Sequence, residues 1–193
     1  MPFAEKRWKF KAFNQSDAKK LCEDLRIHPV TCNMLDNRGI KSYDEAKAFF
    51  RPELSALHDP FLMKDMNIAV EKILKSIKEN EKILIYGDYD VDGTTSVSIM
   101  YDFLSFIYPS KKIEYYIPDR YKEGYGLSAQ GIAYAEANGF QLLITLDCGI
   151  KSIELIEVAR TKGIDTIVCD HHLPGEDLPN AVAILNAKQK DCQ

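Results

Sequence analysis

From residue 82 onward, short apolar runs alternate with longer segments of helical period, and this alternation restricts the fold more than any other property of the 193-residue chain. Strands are expected at 82–86, 113–117, 141–146 and 164–169, with helices at about 94–107, about 128–138 and 152–162 between and after them. Repetition of this βαβ kind implies a Rossmann-like α/β fold, a parallel sheet with helices on both faces. Ser128 and Ser152 are placed to cap helix amino ends, and Gly139 and Gly163 to stop helices. Upstream, Met66 to Asn80 carries Ile68, Val70, Ile73, Leu74 and Ile77 close to a 3.6 period, so a helix precedes the first core strand. Ser16 to Arg26 and Pro29 to Asn37 also look helical, the second closed by Gly39. Ser42-Tyr43-Asp44-Glu45 makes a capping box for a third short helix that ends before Pro52. The expected organisation is a small helical lead-in over 1–64 and an α/β domain over 65–193. Mixed charges with no basic face favour a packing role for the lead-in over DNA binding.

What leaves the strands carries the chemistry. Lys82-Ile83-Leu84-Ile85-Tyr86 runs into Asp88-Tyr89-Asp90-Val91-Asp92-Gly93, three carboxylates at alternate positions that repel one another unless a cation sits among them. Hard oxygen ligands at this density suit Mg²⁺ or Mn²⁺ better than zinc. The same letters open an EF-hand loop, but the position that needs a bidentate Glu is Ile99 and the flank is a strand instead of a helix. A plain solvated acidic turn is the other alternative. Two later segments count against it. Leu142-Leu143-Ile144-Thr145-Leu146 ends in Asp147-Cys148-Gly149, and Asp165-Thr166-Ile167-Val168-Cys169 ends in Asp170-His171-His172. In an open α/β sheet the carboxyl ends of strands form the ligand-binding edge, so the topology brings all three clusters to one crevice. No G-x-G-x-x-G and no G-K-[ST] occurs, which argues against a nucleotide-cofactor fold.

DYDVDG, a strand-terminal LDCG and VCDHH, in this order and spacing, resemble the DHH phosphoesterase superfamily, and within it the RecJ family of bacterial single-stranded-DNA-specific exonucleases. Tyr116 to Leu127 contains a segment similar to the P-x-R-x-x-E-G-Y-G-L stretch of RecJ proteins, which pyrophosphatase members lack. Phe49-Phe50-Arg51-Pro52 and Asp59-Pro60-Phe61-Leu62-Met63 resemble the RecJ lead-in. The resemblance implies that Asp88, Asp90, Asp92, Asp147 and His171 are metal ligands and that His172 lies near the scissile phosphate, with Asp170 supporting a ligand ring from behind. It implies Mn²⁺ or Mg²⁺, with two ions, and 5′-to-3′ hydrolysis of single-stranded DNA in repair and recombination, alongside repair partners such as a helicase or a single-strand-binding protein. Two ions about 4 Å apart need a shared carboxylate, and Asp147, alone on its motif, is the candidate bridge. Arg120 and Tyr125 are the candidate substrate contacts, one for phosphate and one for stacking on bases. The superfamily has a further metal-binding aspartate beyond the DHH triplet. Ala183 to Lys188 is similar to the strand and turn before it, so the sequence reads as an amino-terminal fragment with an incomplete DHH catalytic domain. Two alternatives stay open: a phosphodiesterase or pyrophosphatase acting on short oligonucleotides, cyclic dinucleotides or pyrophosphate, and a non-catalytic nucleic-acid-binding relative.

A net charge of −4 is unusual for a protein that meets a polyanion, but at least five of the acids belong to the proposed metal site, where cations invert the local sign. No stretch is long and apolar enough for a membrane span, and Met1 to Phe13, basic and aromatic, is no secretory signal, so a cytoplasmic location is expected. Five cysteines without a C-x-x-C pair argue against a disulfide framework or zinc knuckle. Cys148 and Cys169 are read as small buried hydrophobes.

Overall fold

Strand β1 (Ile83–Gly87) is buried at every residue, and its side chains alternate between two apolar layers. Ile83 and Ile85 enter one cluster with Ala69, Val97 and Leu104, and Leu84 and Tyr86 enter the other with Ile132, Ala135, Ile156 and Ala159. The period of two along a strand therefore builds a three-layer sandwich. One outer layer is α4 (Met66–Lys78) and α5 (Val91–Ile107), and the other is α6 (Ala129–Ala137) and α7 (Ile153–Thr161). The remaining strands are β2 (Ile113–Tyr116), β3 (Leu142–Leu146), β4 (Asp165–Cys169) and β5 (Ala183–Leu185). All pairings are parallel, in the order β2-β1-β3-β4-β5. This computed structural model describes Arg7, Lys9 and residues 15–109 and 112–192. The sequence reading of Met1 to Phe13 falls, apart from Arg7 and Lys9, outside the described residues.

Internal contacts divide the chain into Met1–His58 and Asp59–Gln193. The division precedes the expected 64/65 boundary because the 3-10 turn Pro60–Leu62 packs on α4 and Lys64 pairs with Asp191 at 2.5 Å. In the first unit, α1 (Gln15–Leu25), α2 (Pro29–Asp36) and α3 (Tyr43–Phe50) enclose Leu21, Leu35 and Ala46. The capping box forms as expected: the Ser42 hydroxyl accepts the Glu45 N–H, and the Glu45 carboxylate accepts that of Ser42.

Two local expectations change. Helix α5 begins at Val91 instead of about 94, because Asp90 caps it by accepting the Gly93 N–H at 3.0 Å. Asp92 therefore lies in a helical turn, and the three carboxylates do not share one extended segment. Ser152 occupies the N-cap position of α7 but makes no capping hydrogen bond, whereas Ser128 accepts the Gly131 N–H. Among the described residues, no helix is long and apolar enough to cross a membrane.

Candidate metal centre

Strand register builds the site. Gly87 pairs with Leu146, and Leu146 with Cys169, so the next residues, Asp88, Asp147 and Asp170, emerge side by side from three adjacent strands. Each meets a different environment. Asp88 is fully buried; its Oδ1 accepts the Gly126 N–H at 3.2 Å, and its Oδ2 has no hydrogen-bond partner. Asp147 sits in the left-handed region at φ 60°, donates its N–H to the Cys169 carbonyl at 2.9 Å, and keeps its side chain 7% exposed. Burial, and then the neighbouring Asp90 carboxylate, pushes its carboxyl above the usual range. Asp90 goes the other way, held low chiefly by the Gly93 N–H it accepts as helix cap.

Asp170 is nearly sealed from water, and both its oxygens are engaged. Oδ2 accepts the Ile150 N–H at 3.0 Å, while Oδ1 accepts the His172 N–H at 3.0 Å and lies 2.7 Å from His172 Nδ1. Burial opposes its charge, but these donors win and hold the carboxyl below its ordinary value. A carboxylate only accepts, so the His172 nitrogen that faces Asp170, Nδ1, carries a proton. Asp170 thus orients His172, and the ring of His171 is met instead by Asp147, with Nε2 2.9 Å from Oδ1. Ligand atoms of Asp147, His171 and His172 all lie within 4.8 Å of one another. Beside them is an open cleft of about 290 Å³ lined by Asp92, Ser96, Leu146, Asp147, Cys169, Asp170 and His171.

The loop after β2 closes the other side. Tyr125 donates its hydroxyl to the Asp147 carbonyl at 3.2 Å, and the same oxygen lies 3.2 Å from both ring nitrogens of His172. Arg120 is exposed, with its guanidinium 5.3 Å from the centre of the Tyr89 ring, so it meets the first motif and not the metal cluster. Burial raises the Cys169 thiol to about 12 and pushes Cys148 up as well, so neither supplies a thiolate nucleophile. Sequence reasoning missed Glu123, which ties the loop together by accepting from Tyr116 (2.9 Å), Ser128 (2.5 Å) and the Asp119 N–H (2.8 Å). Its place inside the E-G-Y-G stretch was the available signal. Asn186, also missed, donates to the His172 carbonyl at 2.9 Å.

Residues 82–193 match the DHH family, N-terminal domain. The chain belongs to the DHH family. Among curated DHH relatives, the single-stranded-DNA-specific exonuclease RecJ of Bacillus subtilis (strain 168) is 41% identical over 186 residues, covering 96% of this chain and 23% of that protein. RecJ of Escherichia coli (strain K12) is 36% identical over 166 residues, covering 86% and 28%. The chain spans about a quarter of the length of these relatives. A crystal structure of exonuclease RecJ bound to manganese superposes with a TM-score of 0.64 at 25% identity, over 71% of this chain and 34% of that one. RecJ from Thermus thermophilus in complex with Mn²⁺ shares the fold, with a TM-score of 0.64 at 22% identity over 93% and 24% of the two chains.

Proposed function

We propose that this chain hydrolyses the phosphodiester bonds of single-stranded DNA from the 5′ end, as a RecJ-type exonuclease of repair and recombination that works in the cytoplasm with Mn²⁺ or Mg²⁺. The observation that carries this reading is the unpartnered Oδ2 of Asp88, fully buried on the strand edge that also presents Asp147 and Asp170. A buried carboxylate oxygen with no hydrogen-bond donor in reach fits a hard divalent cation as its partner. Two solved relatives with this fold hold manganese, and the curated relatives are named for action on single-stranded DNA.

Asp88, Asp90, Asp92, Asp147 and His171 would hold two ions, with Asp147, adjacent to both Asp90 and His171, as the shared ligand. Bound divalent ions supply Lewis-acid polarisation of the phosphoryl oxygens and a coordinated water of lowered pKa. The chain's own residues do the rest. Asp170 orients the His172 ring through Nδ1, and His172 would stand near the scissile phosphate. Arg120 and Tyr125 sit on the adjoining loop as the substrate-side residues. Residues 65–193 form the catalytic part, and a helicase and a single-strand-binding protein are the partners that such a reaction calls for.

The test is hydrolysis of 5′-phosphorylated single-stranded DNA in Mn²⁺, beside duplex DNA and a cyclic dinucleotide, by the chain and its Asp90→Ala variant. Mononucleotide release from the single strand, abolished by the substitution, is the expected result. Preferential cleavage of the cyclic dinucleotide, or activity that survives Asp90→Ala, would sink the reading. Calorimetric Mn²⁺ binding should likewise disappear in the Asp90→Ala, Asp147→Ala double variant.

A further inference from the structure

The loop between β2 and α6, residues 117–128, runs without helix or strand, and Gly124 and Gly126 both stand in the left-handed region at φ 83° and 79°. Such a segment needs side chains to hold it, because each residue fixed costs about 1–2 kcal/mol of conformational entropy. Two tyrosines in register begin the work. Tyr86 and Tyr116 pair across β1 and β2, and their rings stack with centroids 5.3 Å apart. The buried Tyr86 hydroxyl donates to the Gly126 carbonyl at 2.9 Å, and the Tyr116 hydroxyl donates to Glu123 at 2.9 Å. Glu123 also accepts the Asp119 N–H at 2.8 Å and the Ser128 hydroxyl at 2.5 Å, and that hydroxyl in turn caps α6 by accepting the Gly131 N–H at 2.9 Å. One carboxylate thus gathers the end of β2, the start of the loop and the start of α6.

We propose that Glu123 is a positioning residue for the metal centre: by closing the loop it sets the Gly126 N–H on Asp88 Oδ1, and so leaves Oδ2 as the oxygen offered to a cation. Exposure divides the loop accordingly. Asp119 to Lys122 are exposed, Gly126 to Ser128 are buried, and Glu123 is half-buried between them. The Gly126 amide reaches Asp88 Oδ1 at 3.2 Å, whereas Oδ2 has no hydrogen-bond partner. The terminal torsion of an aspartate is broad, so a carboxylate deprived of that amide turns about it, while a small divalent ion demands well-placed oxygens. Hydrogen bonds to a charged acceptor are worth about 1.5–3 kcal/mol each, and three of them on Glu123 set the course of the chain that carries Gly126. Supports of this kind behind a metal ligand typically change metal affinity by about 10- to 100-fold.

Positioning by Glu123 rests on the reading of Asp88 as a metal ligand, so one arm of the test needs no metal. In the metal-free chain, hydrogen exchange of the Gly126 amide, followed on its assigned NMR resonance, is expected to be faster by about 10-fold or more in Glu123→Ala, with the amides of β3 unchanged. Unchanged protection at Gly126 overturns the proposal. The second arm measures Mn²⁺ binding by calorimetry. Glu123→Ala should weaken it by about 10-fold, and Glu123→Gln, which keeps the shape and can still accept the Asp119 N–H, by less. Tyr134→Phe is the control, because it removes a 2.7 Å hydrogen bond from α6 to Glu114 on β2 and leaves the loop alone; it should bind Mn²⁺ as the wild type does. Binding by Glu123→Ala equal to wild type, or an equal loss in Tyr134→Phe, overturns the proposal. Should Glu123→Ala fail to fold, Tyr116→Phe removes one of the three bonds and keeps the ring; a loss of about 3- to 5-fold is then expected, and no loss overturns the proposal. Absence of Mn²⁺ binding by the wild type would instead sink the metal reading, and exchange at Gly126 would still decide whether Glu123 places that amide.

Discussion

A carboxylate oxygen shut away from water with nothing to accept is among the more costly side-chain placements a fold tolerates, and Asp88 Oδ2 is one. The neutral isostere removes the buried charge, although its amide N–H groups find no acceptor there. Asp88→Asn is therefore expected to raise the stability of the metal-free chain by on the order of 1 kcal/mol, read as a higher urea midpoint. The same change should abolish most of the stabilisation that Mn²⁺ confers, about 2.7 kcal/mol at a concentration 100 times the dissociation constant. A variant equally stabilised by Mn²⁺ would exclude Asp88 as a ligand. At this scale the sequence displays the acids and histidines but not their division of labour. That Asp170 grips His172 while His171 faces Asp147 depends on a two-residue turn at the strand exit, and that Gly126 donates to Asp88 depends on a backbone amide 38 positions away. Neither interaction has a spacing signature that can be read from one sequence.

Elements are more legible, because apolar period and length report burial directly. The expected strands at 82–86, 141–146 and 164–169 each overlap an observed strand, and β2 ends one residue earlier than expected. The start of α5 is misplaced in the sequence reading because Asp-x-Asp-x-Asp has poor helix propensity, yet Asp90 is the cap that begins the helix. Strand β5, three residues long, is too short to announce itself by period and is visible only through its likeness to a known family. Gly93 shows which physical effect governs this junction. In an ordinary helix, Gly→Ala gains about 1 kcal/mol from propensity. Here a Cβ would stand 2.3 Å from the Asp88 carbonyl oxygen and 2.8 Å from the Asp88 nitrogen, both backbone atoms that cannot swing aside. Sterics should win: Gly93→Ala is expected to destabilise by about 1–3 kcal/mol in urea unfolding, and to weaken Mn²⁺ binding by displacing Asp88. A stabilised variant would show that the β1–α5 turn is looser than described.

For the whole molecule, the parallel register is the organising fact, and Lys72 shows how the helical layer is fastened to it. Its side chain, 10% exposed, reaches Asp165 at 2.8 Å and Glu81 at 3.2 Å, joining α4 to the entrances of β4 and β1. Burial disfavours its charge, but the two carboxylates outweigh this and raise its pKa. A raised pKa gives stability that is complete below the unfolded value of about 10.4 and lost as pH climbs through the higher folded one. The gap between wild type and Lys72→Met, about 1 kcal/mol because both carboxylates keep some hydration, should thus be constant from neutral pH to about 10 and shrink above it. A gap that persists undiminished at high pH would assign the effect to packing. The fastening of residue 126 to residue 88 has a further consequence for anyone who would transplant this chemistry. Asp-Tyr-Asp-Val-Asp-Gly looks portable, six letters after a strand, but its first aspartate is cradled by an amide from the far side of β2 and crowded by a glycine of its own helix. Grafted alone onto another sheet, the hexapeptide would bring the charges without the mould, and the smallest transferable unit is the stretch from β1 through Gly126 together with the edge strands that keep it in register.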